Sequence, residues 1–429
     1  MHNLLLPGAR LKRWLLMLFS GVTFLLFFLL ITFGDEMESL LSTVSLQFYR
    51  LFLFRPEDYS LKFVLEISLF AVGIVFVFIG ARKLMDYFVT TFVPEKRGRI
   101  FDTIAQRAER QSGPKVVVIG GGTGSYTILK GLKKYTEHIT AIVSMFDSGG
   151  STGRLRDEFG YLPPGDVRRC LLALAPEGSD NLTLRQLLDY RFSKGKGLQG
   201  HNFGNLLLTA LKDITHGELE AINACARILN LQGKVLPVTL QNSHLCAQME
   251  DGKIVKGETN IDIPKHDPNL RIRKLFLSPQ VKALPESLKA IKEADMIVIG
   301  PGDLYTSIIP NLLAAGITTA IKASSAKKVY VCNVMTKPGE TTDFTAEDHV
   351  SEIMRYLGTG VLDHVIVNSA RAPEEEYRKY KKSGAKRVKY DENALKLMGV
   401  EVVAVNLLAA KDLLRHDSDK LARTVIGLA

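Results

Sequence analysis

The chain has 429 residues, a formal net charge of +10, 46% hydrophobic and 23% charged residues, a balance that excludes a disordered chain and leaves room for two or three compact units. Its four cysteines, Cys170, Cys225, Cys246 and Cys332, form no C-x-x-C pair, and its nine histidines form no H-E-x-x-H. That argues against a disulfide framework, a thiolate zinc site or a zinc hydrolase, and fits a reducing compartment.

The first hundred residues are the most lipid-like. Trp14 to Phe33 is a run of twenty residues without a charge, about what a hydrocarbon core of roughly 30 Å requires. A second run, Phe63 to Ala81, carries one carboxylate, Glu66, near its start. Arg10, Lys12 and Arg13 precede the first run and Arg82 and Lys83 follow the second, whereas the connection holds Asp35, Glu36, Glu38, Glu57 and Asp58 against Arg50 and Arg55. Positive charge on both outer flanks predicts a retained hairpin over residues 1–93, with both termini and the C-terminal domain cytoplasmic. A cleaved signal peptide is disfavoured by the length of the apolar run and the absence of a small-residue cleavage site. Within the connection, Leu40 to Phe54 has helix-like apolar spacing that suits an interfacial helix. Residues 94–113, with Lys96, Arg97, Arg99, Arg107 and Arg110, read as a basic juxtamembrane linker. Anionic lipid accounts for such charge without nucleic acid.

From residue 114 to the C-terminus, short apolar runs alternate with amphipathic stretches. Val116–Ile119, Ile139–Met145, Val235–Leu240, Met296–Ile299, Val329–Val331, Val365–Val367 and Val400–Val405 read as buried strands, which predicts an α/β fold with a Rossmann-like, doubly wound, mainly parallel sheet. Leu182–Phe192, Phe203–Ile214 and Leu219–Leu229 read as a helical segment. Gln241 to Leu277 alternates polar and β-branched residues around a Glu250-Asp251-Gly252-Lys253 turn, the pattern of a small antiparallel insertion. The Lys/Arg-rich stretch Tyr377–Lys389 reads as a solvated helix face.

Three glycine-bearing loops follow predicted strands. The first, Gly120-Gly121-Gly122-Thr123-Gly124-Ser125, opens a helix; glycines let backbone approach a phosphate, and the helix N-terminus supplies free N–H groups. Neither the dinucleotide spacing G-x-G-x-x-G nor the Walker G-K-[ST] is met. The second, Asp147-Ser148-Gly149-Gly150-Ser151-Thr152-Gly153, sets Asp147 at a strand end to meet a ribose hydroxyl or a metal. Its G-x-S-x-G pattern stands too far from the strand for a nucleophile elbow. Arg154, Arg156, Arg168 and Arg169 are phosphate candidates or surface ion pairs. Pro163-Pro164-Gly165-Asp166 opens a further helix with Asp166 read as its cap. Gly200-His201-Asn202-Phe203-Gly204-Asn205 places His201, Asn202 and Asn205 at another helix N-terminus. The third loop, Gly300-Pro301-Gly302-Asp303-Leu304-Tyr305-Thr306-Ser307, would point its N–H groups into the same crevice as the first, and Thr306 and Ser307 would donate to phosphate oxygens or cap the helix. A diphosphate-bearing ligand spanning both loops is the sharpest inference from pattern alone.

Together with Gly233–Pro237, Gly300–Pro310, the Val-Cys-Asn-Val-Met-Thr run Val331–Thr336, and Arg415-His416-Asp417, these motifs resemble the YvcK-type family of gluconeogenesis factors, related to the CofD-like 2-phospho-L-lactate transferases. The resemblance covers roughly Pro114 to the C-terminus and not the hairpin. It implies a cytoplasmic domain that binds a UDP-sugar such as UDP-N-acetylglucosamine and supports cell-wall synthesis and cell shape, particularly during gluconeogenic growth, alongside envelope-synthesis partners. No demonstrated reaction comes with it, and no catalytic residue is assigned. By the same resemblance Tyr390 and Arg415 would contact the sugar nucleotide, with a salt bridge to Asp417 or Asp419 the alternative for Arg415. Asp147-Ser148 stands where many relatives have two adjacent aspartates, and one carboxylate fewer weakens a magnesium site. The leading expectation is a membrane-tethered nucleotide-sugar-binding regulator, with magnesium accompanying a bound nucleotide and a homo-oligomer compatible. A phospho-group transferase and a nicotinamide oxidoreductase are the alternatives.

Overall fold

The computed structural model describes residues 7–37, 59–92, 108–177, 179–263, 270–371, 374–409 and 414–429. The chain divides into two units, Met1–Arg107 and Ala108–Ala429. The expected interfacial helix at 40–54, and the linker as far as residue 107, lie outside the described residues.

In the first unit, helices Pro7–Met37 and Tyr59–Phe92 pack side by side. Glycines set how closely: a Cβ on Gly21 would lie 2.7 Å from the Val77 nitrogen, and one on Gly80 would lie 2.9 Å from the Leu18 nitrogen. Phe24 meets Phe76 edge-on at 5.8 Å and Phe28 meets Phe70 at 4.9 Å. Leu16, Phe19 and Phe78 turn outward. The stretches Leu11–Leu29 and Ile67–Phe88 are long and apolar enough to cross a membrane. The second helix contains the whole run Phe63 to Ala81 read from the sequence and continues unbroken past Arg82 and Lys83.

The second unit is built on seven parallel strands: β1 Val116–Gly120, β2 Ile139–Val143, β3 Lys234–Pro237, β7 Met296–Ile299, β8 Lys327–Val331, β9 His364–Asn368 and β10 Glu401–Val405, all expected from the apolar runs. Between β3 and β7 lies the antiparallel insertion, β4 His244–Met249, β5 Ile254–Lys256 and β6 Ile272–Ser278, with β4 central. Alternation explains why the main strands are apolar throughout. Val117 and Ile119 of β1 face one core cluster, which also takes in the insertion, while Val116 and Val118 face the other. A parallel strand covered on both sides carries no polar face.

Strand order is β10-β9-β8-β7-β1-β2-β3. The chain winds outward from β1 through β2 to β3, then returns to β1's other side and winds outward again through β7 to β10. The reversal falls between β1 and β7, which pair in register from Val116↔Met296 to Ile119↔Ile299. In an open α/β sheet, the crevice outside the carboxyl ends of such a pair is where ligands bind.

The helix after the first glycine loop, Gly122–Leu132, is clamped by the terminal helix Ser418–Ile426. At their crossing an added Cβ on Gly131 would sit 2.0 Å from the Ser418 carbonyl oxygen. Gly131→Ala is therefore expected to destabilise the body by about 1–3 kcal/mol, as overpacking does, read as a lowered thermal midpoint of the full chain in detergent.

Candidate functional site

The glycine loops following β1 and β7 meet at the switch point backbone to backbone. A Cβ on Gly124 would lie 2.1 Å from the Pro301 carbonyl oxygen, and Asn311, buried beneath, donates through Nδ2 to the Gly120 carbonyl at 3.3 Å and the Ser307 carbonyl at 2.8 Å. Above them is a cavity of about 440 Å³ whose lining takes in Gly121–Gly124, Asp147, Gly149–Thr152, Gly165, Asp166, Asn205, Gly302, Thr306 and Ser307. Most of the candidate residues thus share one crevice.

The others sit elsewhere. Gly120, Gly300 and Pro301 shape the loops from behind: Gly300 holds a φ of +77°, and a Cβ there would approach the Val331 carbonyl oxygen to 3.2 Å. Tyr305 is buried in the core, edge-on to Phe344. Its nitrogen donates to Glu340, and Thr306 Oγ1 donates to the same carboxylate at 3.0 Å. Thr306 and Ser307 therefore do not cap a helix; Asp303 holds the cap position, without a side-chain capping bond. His201 and Asn202 are buried beside the crevice, where Ser151 Oγ contacts His201 Nδ1 at 3.2 Å and accepts from the Asn202 nitrogen. Asn202 caps the helix Phe203–Thr215, accepting from the Asn205 nitrogen, while Asn205 accepts from Arg168 and donates to Thr152. Burial lowers the His201 pKa.

The expected cap role of Asp166 is corrected. The helix Gly165–Leu174 starts after Pro164, which holds the cap position, and Asp166 lies in the first turn with no capping bond. Its carboxyl turns onto the first glycine loop instead. A Cβ on Gly121 would lie 2.3 Å from Asp166 Oδ2, and the Gly122 N–H donates to it. Likewise the Gly149 nitrogen donates to Asp147 Oδ1 at 2.8 Å. Both glycine loops hold an aspartate of the chain itself.

A third carboxyl arrives from the insertion, whose short helix Glu258–Asp262 follows β5. Glu258 accepts from the Ser148 nitrogen and faces Asp147, and Thr259 bonds Ser148 Oγ at 3.0 Å. Glu258 thus supplies a second carboxylate beside the Asp147-Ser148 pair that the sequence comparison found one short. Sequence reasoning missed it because it lies more than a hundred residues downstream; the only signal was Glu258 and Asp262 at i, i+4 on one helix face.

Electrostatics follow from this crowding. Burial, reinforced by Asp147, pushes Asp166 up to about 7. Burial and the nearby Asp147 and Asp262 push Glu258 up to about 8, and burial also raises Asp147. Opposite them, Arg169 bonds Thr123 Oγ1 and Arg168 reaches Asp189 at 2.8 Å. Arg156 pairs with Asp157 as a surface ion pair, and Arg154 donates to the Gln199 carbonyl. Lys337 sits amid Asp262, Asp303 at 2.8 Å and Glu340 at 3.0 Å. Burial alone would lower the Lys337 pKa; the three carboxylates outweigh it and hold it high. That acidic trio lies within metal-binding distance of itself, but it already surrounds an ammonium. Asp147 and the Glu258 that faces it are hard oxygen donors of the kind magnesium takes, one or two carboxylates at a time with ligand phosphates completing the shell.

Two further cavities adjoin. One of about 340 Å³ shares Thr123, Gly124, Gly302 and Asp303 with the first and adds Asn333, Thr336, Lys337, Arg415 and His416. Arg415 has no ion pair among the described residues: Asp419 pairs with Lys134, and Asp417 caps the terminal helix. The next, about 830 Å³, shares Thr336 and holds Phe344, Arg371, Tyr377, Lys386, Arg387, Lys389 and Tyr390. Tyr377 and the three basic residues belong to the stretch read as a solvated face; beyond the helix Glu374–Lys382 the chain turns back along this cavity.

A parallel sheet with paired glycine loops at its switch point defines a Rossmann-like protein with a nucleotide-sized crevice. The family model for 2-phospho-L-lactate transferase CofD matches residues 116–408. The Gluconeogenesis factor of Bacillus subtilis is 45% identical over 317 residues, covering 73% of this chain and 98% of that one. A Clostridium acetobutylicum relative is 41% identical over 431 residues, covering 98% of this chain, hairpin included, and 90% of that one. The crystal structure of a UPF0052-family protein from Bacillus halodurans superposes with a TM-score of 0.70 at 44% identity, covering 74% of this chain and 99% of that one. The chain belongs to the CofD-like family of gluconeogenesis factors.

The raised carboxyls make stability depend on pH. In the unfolded chain an aspartate titrates near 3.9, whereas native Asp166 keeps its proton to about 7. Its favourable contribution is present at low pH and is lost as pH rises through 7. In metal-free protein, Asp166→Asn should raise the thermal midpoint relative to the native chain at pH 8, and the gain should shrink at pH 5.

Proposed function

We propose that this protein is a membrane-tethered, cytoplasmic binder of a UDP-sugar such as UDP-N-acetylglucosamine, and that ligand occupancy regulates its support of cell-wall synthesis and cell shape. The observation that carries the reading is the series of cavities that share lining residues, from the switch point past Arg415 and through Thr336 to the basic, aromatic end at Lys386 and Tyr390. A diphosphate would be matched in charge by Arg415, Arg169 and a magnesium ion held by Asp147 and the Glu258 that faces it. The carboxylates alone would repel it, so the cation is part of the reading. The ion would neutralise charge between carboxylate and phosphate, while the chain's own residues fix the ligand's orientation.

Saturating UDP-N-acetylglucosamine, at about 100 times its dissociation constant, should stabilise the full chain by about 2.7 kcal/mol. Arg415→Ala should weaken binding about tenfold, and EDTA should weaken it further; calorimetry on detergent-solubilised protein reads all three. No stabilisation by any UDP-sugar would overturn the reading. For the tether, a cysteine introduced as Glu38→Cys should be labelled only from outside intact cells.

A transferase is the second reading, favoured by the second carboxylate that Glu258 places beside Asp147. Turnover of a nucleotide-activated substrate with magnesium, abolished in Asp147→Ala, would establish it over a binding-only role.

A further inference from the structure

The pairing of Glu258 with Asp147 depends on a helix too short to fix itself. Glu258–Asp262 is five residues long, and so short a helix carries too few hydrogen bonds to hold its own ends. Ile261 buries one of its faces in the core, and polar contacts take both ends. At the first, the Thr259 nitrogen donates to Ser148 Oγ at 3.0 Å, and Glu258 accepts from the Ser148 nitrogen and faces Asp147. At the last, Asp262 meets the Lys337 ammonium. Lys337 in turn stands on a fixed platform. It reaches Asp303 at 2.8 Å and Glu340 at 3.0 Å, and the buried Glu340 accepts from the Tyr305 nitrogen and from Thr306 Oγ1 in the third loop. The helix is therefore strapped between the second glycine loop and the third.

We propose that Lys337 is a positioning residue for the cation: its ammonium ties Asp262 to the third loop and so holds Glu258, one helical turn away, against Asp147. This rests on the magnesium ion of the reading above and deepens it. Glu258 and Asp262 lie on one helix face at i, i+4, so freeing the last residue lets the helix turn and carries the first away from Asp147. Groups that orient metal ligands from behind matter nearly as much as the ligands themselves. Charge alone predicts the opposite sign. A lysine near a cation site repels the cation, and its loss would strengthen binding. Weaker cation binding on removal of a neighbouring positive charge is thus a result that positioning produces and electrostatics does not.

The test follows manganese, a paramagnetic stand-in for magnesium, by electron paramagnetic resonance on the full chain in detergent, with and without UDP. Lys337→Met should weaken manganese binding about tenfold, whereas Lys337→Arg, which keeps a cation among the same carboxylates, should stay within about threefold of the native chain. Hydrogen exchange of the metal-free chain should quicken at Glu258–Asp262 in Lys337→Met while β1 and β7 stay as protected as in the native chain. Where Lys337→Met does not fold, Asp262→Asn, which leaves Lys337 its other two carboxylates, should quicken the same segment and weaken manganese binding. Unchanged or tighter manganese binding in Lys337→Met overturns the inference, as does unchanged exchange at the helix in either variant. A native chain that binds no manganese overturns it too. Failure of every UDP-sugar to bind, with the manganese and exchange results as expected, overturns the nucleotide reading and leaves the role of Lys337 standing.

Discussion

The contact between Gly124 and Pro301 is the constraint on which the rest of the second unit depends. Two parallel strands that pair in register deliver their glycine loops to the same point, and only a residue without a Cβ lets the first loop lie against the second's carbonyl. From that contact follow the direction of the helix Gly122–Leu132, the placement of Thr123 and Ser307, and the continuity between the first two cavities. Asn311 ties the two loops from below through two carbonyls. The crevice is thus a by-product of sheet topology, and its chemistry is added by residues that reach it from other elements.

That chemistry departs from the simplest view of glycine loops as phosphate cradles. Here one N–H of each of the first two loops, on Gly122 and on Gly149, is engaged by Asp166 or Asp147, which sets carboxyl groups against the loops themselves. Raised carboxyl pKa values are the electrostatic record of that crowding. Desolvated carboxylates near one another lower their free energy by holding protons or by sharing a cation. Arg168, Arg169 and Arg191 line the same crevice, and further basic residues follow at Arg415 and at the Lys386–Lys389 end. The crevice therefore carries both signs of charge at close quarters, carboxyls on one side and guanidinium groups on the other.

Much of the sheet was legible because a strand buried on both faces has nowhere to put a polar residue; hence Val116–Ile119 and Met296–Ile299 stood out without ambiguity. The glycine loops were legible for a related reason, since glycine at a strand's carboxyl end has little other use. What the sequence concealed was direction and partnership. Asp166 in the first turn of a helix looks like a cap, and only the placement of Gly121 reveals that its carboxyl turns the other way. Tyr305 stands in the third loop like a ligand contact, yet a phenol ring gains more from the apolar side, and it is buried there. Glu258, Lys337 and His416 reach the crevice through folding across long sequence separations, which no local pattern encodes.

The insertion between β3 and β7 has an evolutionary consequence. Its helix Glu258–Asp262 sets two of the crevice's acidic groups without contributing a strand to the main sheet. Substitutions in those five positions would reset the electrical character of the cavity while every hydrogen bond of the seven-stranded scaffold stayed in place. A lineage can in this way retune what its crevice admits without reopening the problem of how to fold.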